Sequence, residues 1–143
     1  MIIIKNAQLF APQSQGYKDI LIAGNQVLAI EDVIPDHQLL PDSKIIDAKG
    51  SYLVPGFVDS LVHITGGGGE GGFHTRTPEM NFTDATRAGI TTLVGALGTD
   101  STSRSLANLL AKARALTTEG ICCYCHTGSY QVPVTTITGS VRD

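Results

Sequence analysis

Pro55-Gly56-Phe57-Val58-Asp59-Ser60-Leu61-Val62-His63 is the stretch on which the reading of this chain turns. Phe57 to Ile64 is short and largely apolar and follows a Pro-Gly breaker, which is the pattern of a buried strand. It runs into Gly66-Gly67-Gly68-Gly69, where regular structure must stop. Beyond the glycines, Pro78 to Ala88 has helical composition and Gly89 suits a helix end. Ile90 to Ala96 reads as a second strand. Ser103 to Glu119 carries Leu106, Leu109, Leu110, Ala113 and Leu116 at helical spacing, closed by Gly120. Ile121 to Thr127 reads as a third strand, and the tail from Gly128, rich in Thr, Ser and Gly, as loop. Strand, helix, strand, helix, strand predicts an α/β fold with parallel strands.

Upstream the grammar differs. Ile2 to Leu9 is apolar and β-branched. Asp19 to Ala23 and Gln26 to Ile30 flank Gly24-Asn25 as a hairpin. Lys44 to Ala48 is a further short strand, ended by Lys49-Gly50. Residues 1–51 are therefore expected to form a small antiparallel β-module, and residues 52–143 the strand–helix part.

With 143 residues and 42% hydrophobic side chains the chain can bury a core. Ten basic residues against 13 acidic ones, net charge −3, leave no basic face for nucleic acid. No apolar run approaches the ~20 residues of a membrane span. Cys122, Cys123 and Cys125 are odd in number and crowded, a poor disulfide framework, so a reducing, cytoplasmic setting is expected.

The opening stretch resembles the amidohydrolase superfamily signature, Pro-Gly-x-x-Asp-x-His-x-His. Alternate strand residues share a face, so in that signature two histidines grip one metal together. His63 stands at the second position; Leu61, which has no lone pair to give, stands at the first. Taken alone, His63 would be an ordinary core histidine; the Pro-Gly-x-x-Asp frame makes it a candidate ligand.

Five further segments are similar, in order and spacing, to the isoaspartyl dipeptidases. They are Gly66–Glu70, Thr75–Glu79, Gly95–Ser101, Thr127–Pro133 and Thr136–Val141. The resemblance implies a small β-module followed by a TIM-barrel metallo-dependent hydrolase. A closed barrel takes about 250 residues, so the chain is expected to hold only its first three β/α units. It implies two divalent metal ions, zinc being expected, and a β-aspartyl dipeptide as substrate. His63 matches a metal ligand, and Glu70 the residue that binds the free α-ammonium. Gly68 and Thr99 match contacts to substrate carboxylates, and Tyr130 the catalytic tyrosine that polarises the scissile carbonyl. The bridging carboxylated lysine, the later histidines and the general-base aspartate are expected beyond Asp143. This chain by itself is accordingly expected to be inactive, and the longer protein to form a homo-oligomer.

The remaining features have plainer readings. The glycine run lacks the following Gly-Lys-Ser/Thr of a phosphate loop, so it is either a flexible loop or a place where bare backbone N–H groups meet a carboxylate. The Cys-Cys-Tyr-Cys-His stretch lacks the spaced pairs of a structural zinc site and is expected to supply small buried residues of a strand, Cys123 and Cys125 on one face. His74 and His37 are expected in solvated loops, and Arg76 and Arg104 as surface cations. Two alternatives stand beside the dipeptidase: another cyclic-amide amidohydrolase of dihydropyrimidinase type, against which the glycine run argues, and a non-catalytic remnant, which Leu61 favours.

Overall fold

The computed structural model describes residues 1–36 and 39–142; His37 lies outside them. The chain divides into two units, Met1–Pro55 and Gly56–Asp143. In the first, β1 (Ile2–Phe10), β2 (Ser14–Ala23), β3 (Gln26–Glu31), β4 (Lys44–Asp47) and β5 (Tyr52–Leu53) form one sheet in the order β3-β2-β1-β4, with β5 also on β1. The expected hairpin is β2–β3, pairing Ile20 with Ile30, and Gly24 supplies its turn at φ +58°. The module is mixed, however, not antiparallel: β4 and β5 run parallel to β1. A two-residue turn forces antiparallel pairing, whereas the long connection over residues 32–43 lets the chain cross over and enter beside β1 in the same direction.

Ile3, Ala7, Leu9, Ile20 and Ile34 are buried in this unit. Asp19 is buried with them and is satisfied by backbone: its carboxylate accepts the N–H of Asn6 (3.0 Å) and of Ile34 (2.9 Å). Asn6 takes φ +55° where β1 and β2 slip register between Ile4 and Ala7. The bulge thus turns one amide out of the ladder and onto the buried carboxylate.

The second unit is a three-stranded parallel sheet, β6 (Phe57–Val62), β7 (Ile90–Gly95) and β8 (Cys122–Cys125), in that order, with α1 (Phe82–Arg87) and α2 (Leu106–Glu119) as the crossovers. The expected parallel alternation is borne out. Helix α2 buries Leu106, Leu109, Ala113 and Leu116, the stripe read from the sequence, against Ile64, Leu93 and Leu97. Each fully buried leucine contributes roughly 1.5–3 kcal/mol. Ser105 caps α2 by accepting the Asn108 N–H (3.2 Å), and Gly120 ends it in the left-handed conformation at φ +114°.

Two expectations change here. Helix α1 is shorter than Pro78–Ala88, because the Met80 N–H is committed to the Ile64 carbonyl (3.0 Å) and Asn81 begins the helix, its N–H held by Asp84. Strand β6 is not buried: Phe57 is 60%, Val58 65% and Leu61 60% exposed. It is an edge strand among the described residues, and the helices cover one face of the sheet, whereas a parallel strand is apolar on both faces only when both are covered. Between Asp59 and Val62, β6 uses three steps where β7 uses two, from Leu93 to Gly95, a bulge centred on Ser60 and Leu61. Strand β8 ends at Cys125, short of the expected Thr127, and residues 128–142 carry no helix or strand, as expected. Among the described residues no helix is long and apolar enough to cross a membrane.

Candidate active site

The carboxyl ends of β6, β7 and β8 carry the residues singled out in the sequence. His63 follows β6 directly, and its Nδ1 lies 3.2 Å from the carbonyl of Ala96, one residue past β7. Beyond β8 the chain turns so that the Tyr130 ring stands 6.5 Å from the His63 ring, edge-on at 62°. Glu70, exposed at the end of the glycine run, is held below the ordinary carboxylate range, first by its own backbone N–H, then by the Thr99 hydroxyl, with His63 adding a weaker pull against a small opposing effect of burial. His63, Glu70 and Thr99 are thus neighbours, and Tyr130 adjoins His63.

The glycine run is ordered by what surrounds it. The Gly67 N–H donates to Thr77 Oγ1 (2.8 Å) and the Gly69 N–H to Thr75 Oγ1 (3.2 Å). The Gly68 N–H between them meets no acceptor among the described residues. Gly68 has φ +73°, and a Cβ there would stand 2.4 Å from the Thr75 carbonyl oxygen, so only glycine fits.

Arg104 corrects the sequence reading. It is not a surface cation but buried, 7% exposed, and its guanidinium donates to the carbonyls of Thr77 (2.7 Å) and Gly67 (3.1 Å). Arg76 does stay at the surface, paired with the buried Asp100 at 3.0 Å. Asp100 is held below the usual carboxylate range chiefly by the Ser103 hydroxyl and N–H, which ties the loop before α2 together.

The metal expectation meets a shortfall. Leu61 is apolar and exposed, and among the described residues no three His, Cys, Asp or Glu side chains gather closely enough to hold an ion. His63 is the one ligand the sequence leads us to expect here, and the described residues do not make up a metal centre. His126 reads in the sequence only as the end of the Cys-Cys-Tyr-Cys-His strand stretch. It follows β8, its N–H donates to Gly95 O (2.8 Å), and its Nε2 lies 3.0 Å from Ser60 O at the β6 bulge. The cysteines alternate as expected, Cys123 and Cys125 half-buried, but Cys122 is exposed because its face of β8 is uncovered. Burial pushes the Cys123 thiol up, with its two neighbouring thiols adding to it. His74 sits exposed in a 3-10 turn, Phe73–Thr75.

A cleft of about 1220 Å³ opens beside Arg104 and the start of α2, yet His63, Glu70, Thr99 and Tyr130 are not on its wall. Convergence of polar side chains at the strand ends, not cleft size, defines the candidate site.

A parallel β/α sheet with polar residues gathered at its carboxyl ends places them where β/α barrel enzymes build their sites. The comparisons agree and narrow it. Over 98% of its length, at 48% identity and a TM-score of 0.88, the chain matches the β-aspartyl (isoaspartyl) dipeptidase of Fervidobacterium islandicum AW-1, solved in complex with a β-Asp-Leu dipeptide. A D-hydantoinase from Bacillus sp. AR9 matches 81% of the chain at 28% identity and a TM-score of 0.54. A dihydroorotase from Elusimicrobium minutum is 44% identical over 71 residues, 48% of this chain. The chain spans 36%, 24% and 16% of these three proteins respectively. No family model matches it. The resemblance to isoaspartyl dipeptidase, within the amidohydrolase superfamily, is thereby borne out.

Proposed function

We propose that this chain forms the substrate-reading part of an amidohydrolase that cleaves β-aspartyl dipeptides. In such a substrate the aspartyl α-carbon bears both a free ammonium and a free carboxylate. Glu70, an exposed carboxylate kept ionised beside Thr99, suits the ammonium. The unengaged Gly68 N–H suits the carboxylate, and the Thr99 hydroxyl can join it only by turning its one proton from Glu70 to the substrate. Tyr130, whose phenol can donate, is assigned to the scissile carbonyl, where negative charge grows during hydrolysis. The observation that carries the reading is the pairing of an ionised Glu70 with a free Gly68 N–H two residues away, in a chain 48% identical to a dipeptidase solved with β-Asp-Leu.

In this reading residues 1–51 are the N-terminal β-module and residues 52–143 the first part of a TIM barrel. The resemblance assigns the dipeptidases two divalent ions, zinc by expectation, with His63 as the one ligand offered here. Because the residues present do not make that centre, no step of the reading runs through a metal. A cytoplasmic setting and self-association of a longer protein belong to the same proposal, the first on the three free cysteines, the second on the resemblance alone. A second reading, a remnant that binds but does not cleave, is favoured by Leu61.

Titration of the chain with β-Asp-Leu, with α-Asp-Leu and with N-acetyl-β-Asp-Leu tests the reading. Charge-assisted contacts are worth about 1.5–3 kcal/mol, so acetylation of the amine is expected to weaken binding about tenfold or more. Equal affinity for the three ligands would overturn the assignment. Binding without turnover in a hybrid where this chain replaces the matching 36% of the Fervidobacterium islandicum dipeptidase, persisting with His at position 61, would favour the remnant.

A further inference from the structure

Arg104 is a buried cation with no carboxylate within ion-pairing distance among the described residues. Its partners are two carbonyl oxygens, and its Nε has none. Burying a charge with only two carbonyl partners is costly, which directs attention to the groups it holds. Those groups are the glycine run and the segment laid against it. The Gly67 carbonyl accepts from Arg104 Nη1 (3.1 Å), from the Thr77 N–H (2.9 Å) and from Thr77 Oγ1 (3.3 Å). That carbonyl belongs to the same peptide group as the Gly68 N–H. Three donors on the oxygen, one of them charged, pull electron density off the peptide and make its N–H a stronger donor. They also fix the direction in which that N–H points. The approach is close: a Cβ on Gly66 would lie 2.6 Å from Arg104 Nη2, so the glycines are what let the guanidinium in.

We propose that Arg104 is a positioning residue for substrate recognition, which holds and polarises the Gly67–Gly68 peptide so that the Gly68 N–H receives the substrate's aspartyl carboxylate. This rests on the dipeptide reading above and adds to it the residue that tunes carboxylate selectivity from behind the loop, without touching substrate.

The test uses the 143-residue chain with isotope-labelled glycine, as wild type, R104Q and R104K. Without ligand, R104Q is expected to shift the Gly67 and Gly68 amide resonances and speed their hydrogen exchange, while Gly95 and Gly120, away from the loop, stay put. R104K, which keeps the charge but lacks the two-pronged geometry, is expected to fall between. With ligand, R104Q is expected to weaken β-Asp-Leu about tenfold, the size of one charge-assisted contact, and to leave an analogue amidated at the aspartyl carboxylate within about twofold. Unmoved Gly67 and Gly68 amides in R104Q, or equal losses for both ligands, would overturn the inference. Should R104Q fail to fold, R104K carries the same comparisons. A wild-type chain that ignores β-Asp-Leu defeats the dipeptide reading, and the loop amides then still decide whether Arg104 positions the peptide.

Discussion

Tyr130 and His63 stand ring to ring, 6.5 Å apart and edge-on, although 66 residues separate them in sequence and neither lies within a strand. The contact joins the loop after β8 to the end of β6. It places a phenol beside the one histidine that matches the family's metal ligands.

Tyr130→Phe keeps that ring contact and deletes the donor. The hydroxyl's assigned work is in the transition state, so β-Asp-Leu binding should stay within about twofold while kcat falls about 10²-fold, the loss typical of one oxyanion donor. The measurement is steady-state kinetics of a hybrid in which this chain replaces the matching 36% of the Fervidobacterium islandicum dipeptidase, with His at position 61. A raised KM at unchanged kcat would assign Tyr130 to substrate binding alone.

Leu61→His should raise the zinc content of the same hybrid. Residue 61 sits at the β6 bulge, exposed, two residues before His63, and an imidazole there supplies the lone pair that leucine lacks. Elemental analysis after dialysis reads it out. Full zinc occupancy with Leu61 in place would mean that position 61 is not a ligand position.

Glu70 predicts a pH limit. Its carboxyl is held below the ordinary 4.5 by its own backbone N–H and then by the Thr99 hydroxyl. A depressed carboxylate stays ionised above its unshifted value, and its contribution is lost only as pH falls through the lower, folded value. β-Asp-Leu affinity should therefore hold as pH drops from neutral to 4.5 and decline below it. Glu70→Gln should bind more weakly at neutral pH and show no such decline. Isothermal titration across this range decides it; a decline that persists in the Gln variant belongs to another group.

Gly68→Ala and Gly120→Ala separate fit from strain. Both positions have positive φ, 73° and 114°, and a Cβ in such a conformation costs about 1–2 kcal/mol. Gly120 has open space around it, but at Gly68 the Cβ would also strike the Thr75 carbonyl at 2.4 Å. Gly120→Ala should lower Tm modestly and leave dipeptide affinity unchanged. Gly68→Ala should displace the loop and cost affinity at least tenfold for carboxylate-bearing ligands, as the loss of one charge-assisted contact would. Melting curves and titrations of both variants check this.

The local pattern was legible because periodicity and punctuation act over a few residues. The α2 stripe from Leu106 to Leu116, its stop at Gly120, the β2–β3 hairpin at Gly24 and the strand–helix alternation after Gly56 all follow from side-chain spacing and turn chemistry. So did the resemblance that singled out His63, Glu70, Thr99 and Tyr130, since motif order is itself a property of the sequence. Long-range pairing decided the rest. The parallel entry of β4 beside β1, the shortening of α1 by the Met80–Ile64 hydrogen bond and the exposure of β6 each depend on partners far along the chain. Arg104 shows the reason most clearly. In sequence it is one arginine among serines and reads as solvated. In the fold, carbonyls from residues 27 and 37 positions earlier converge on its guanidinium, and a side chain's burial is set by what the rest of the chain brings to it.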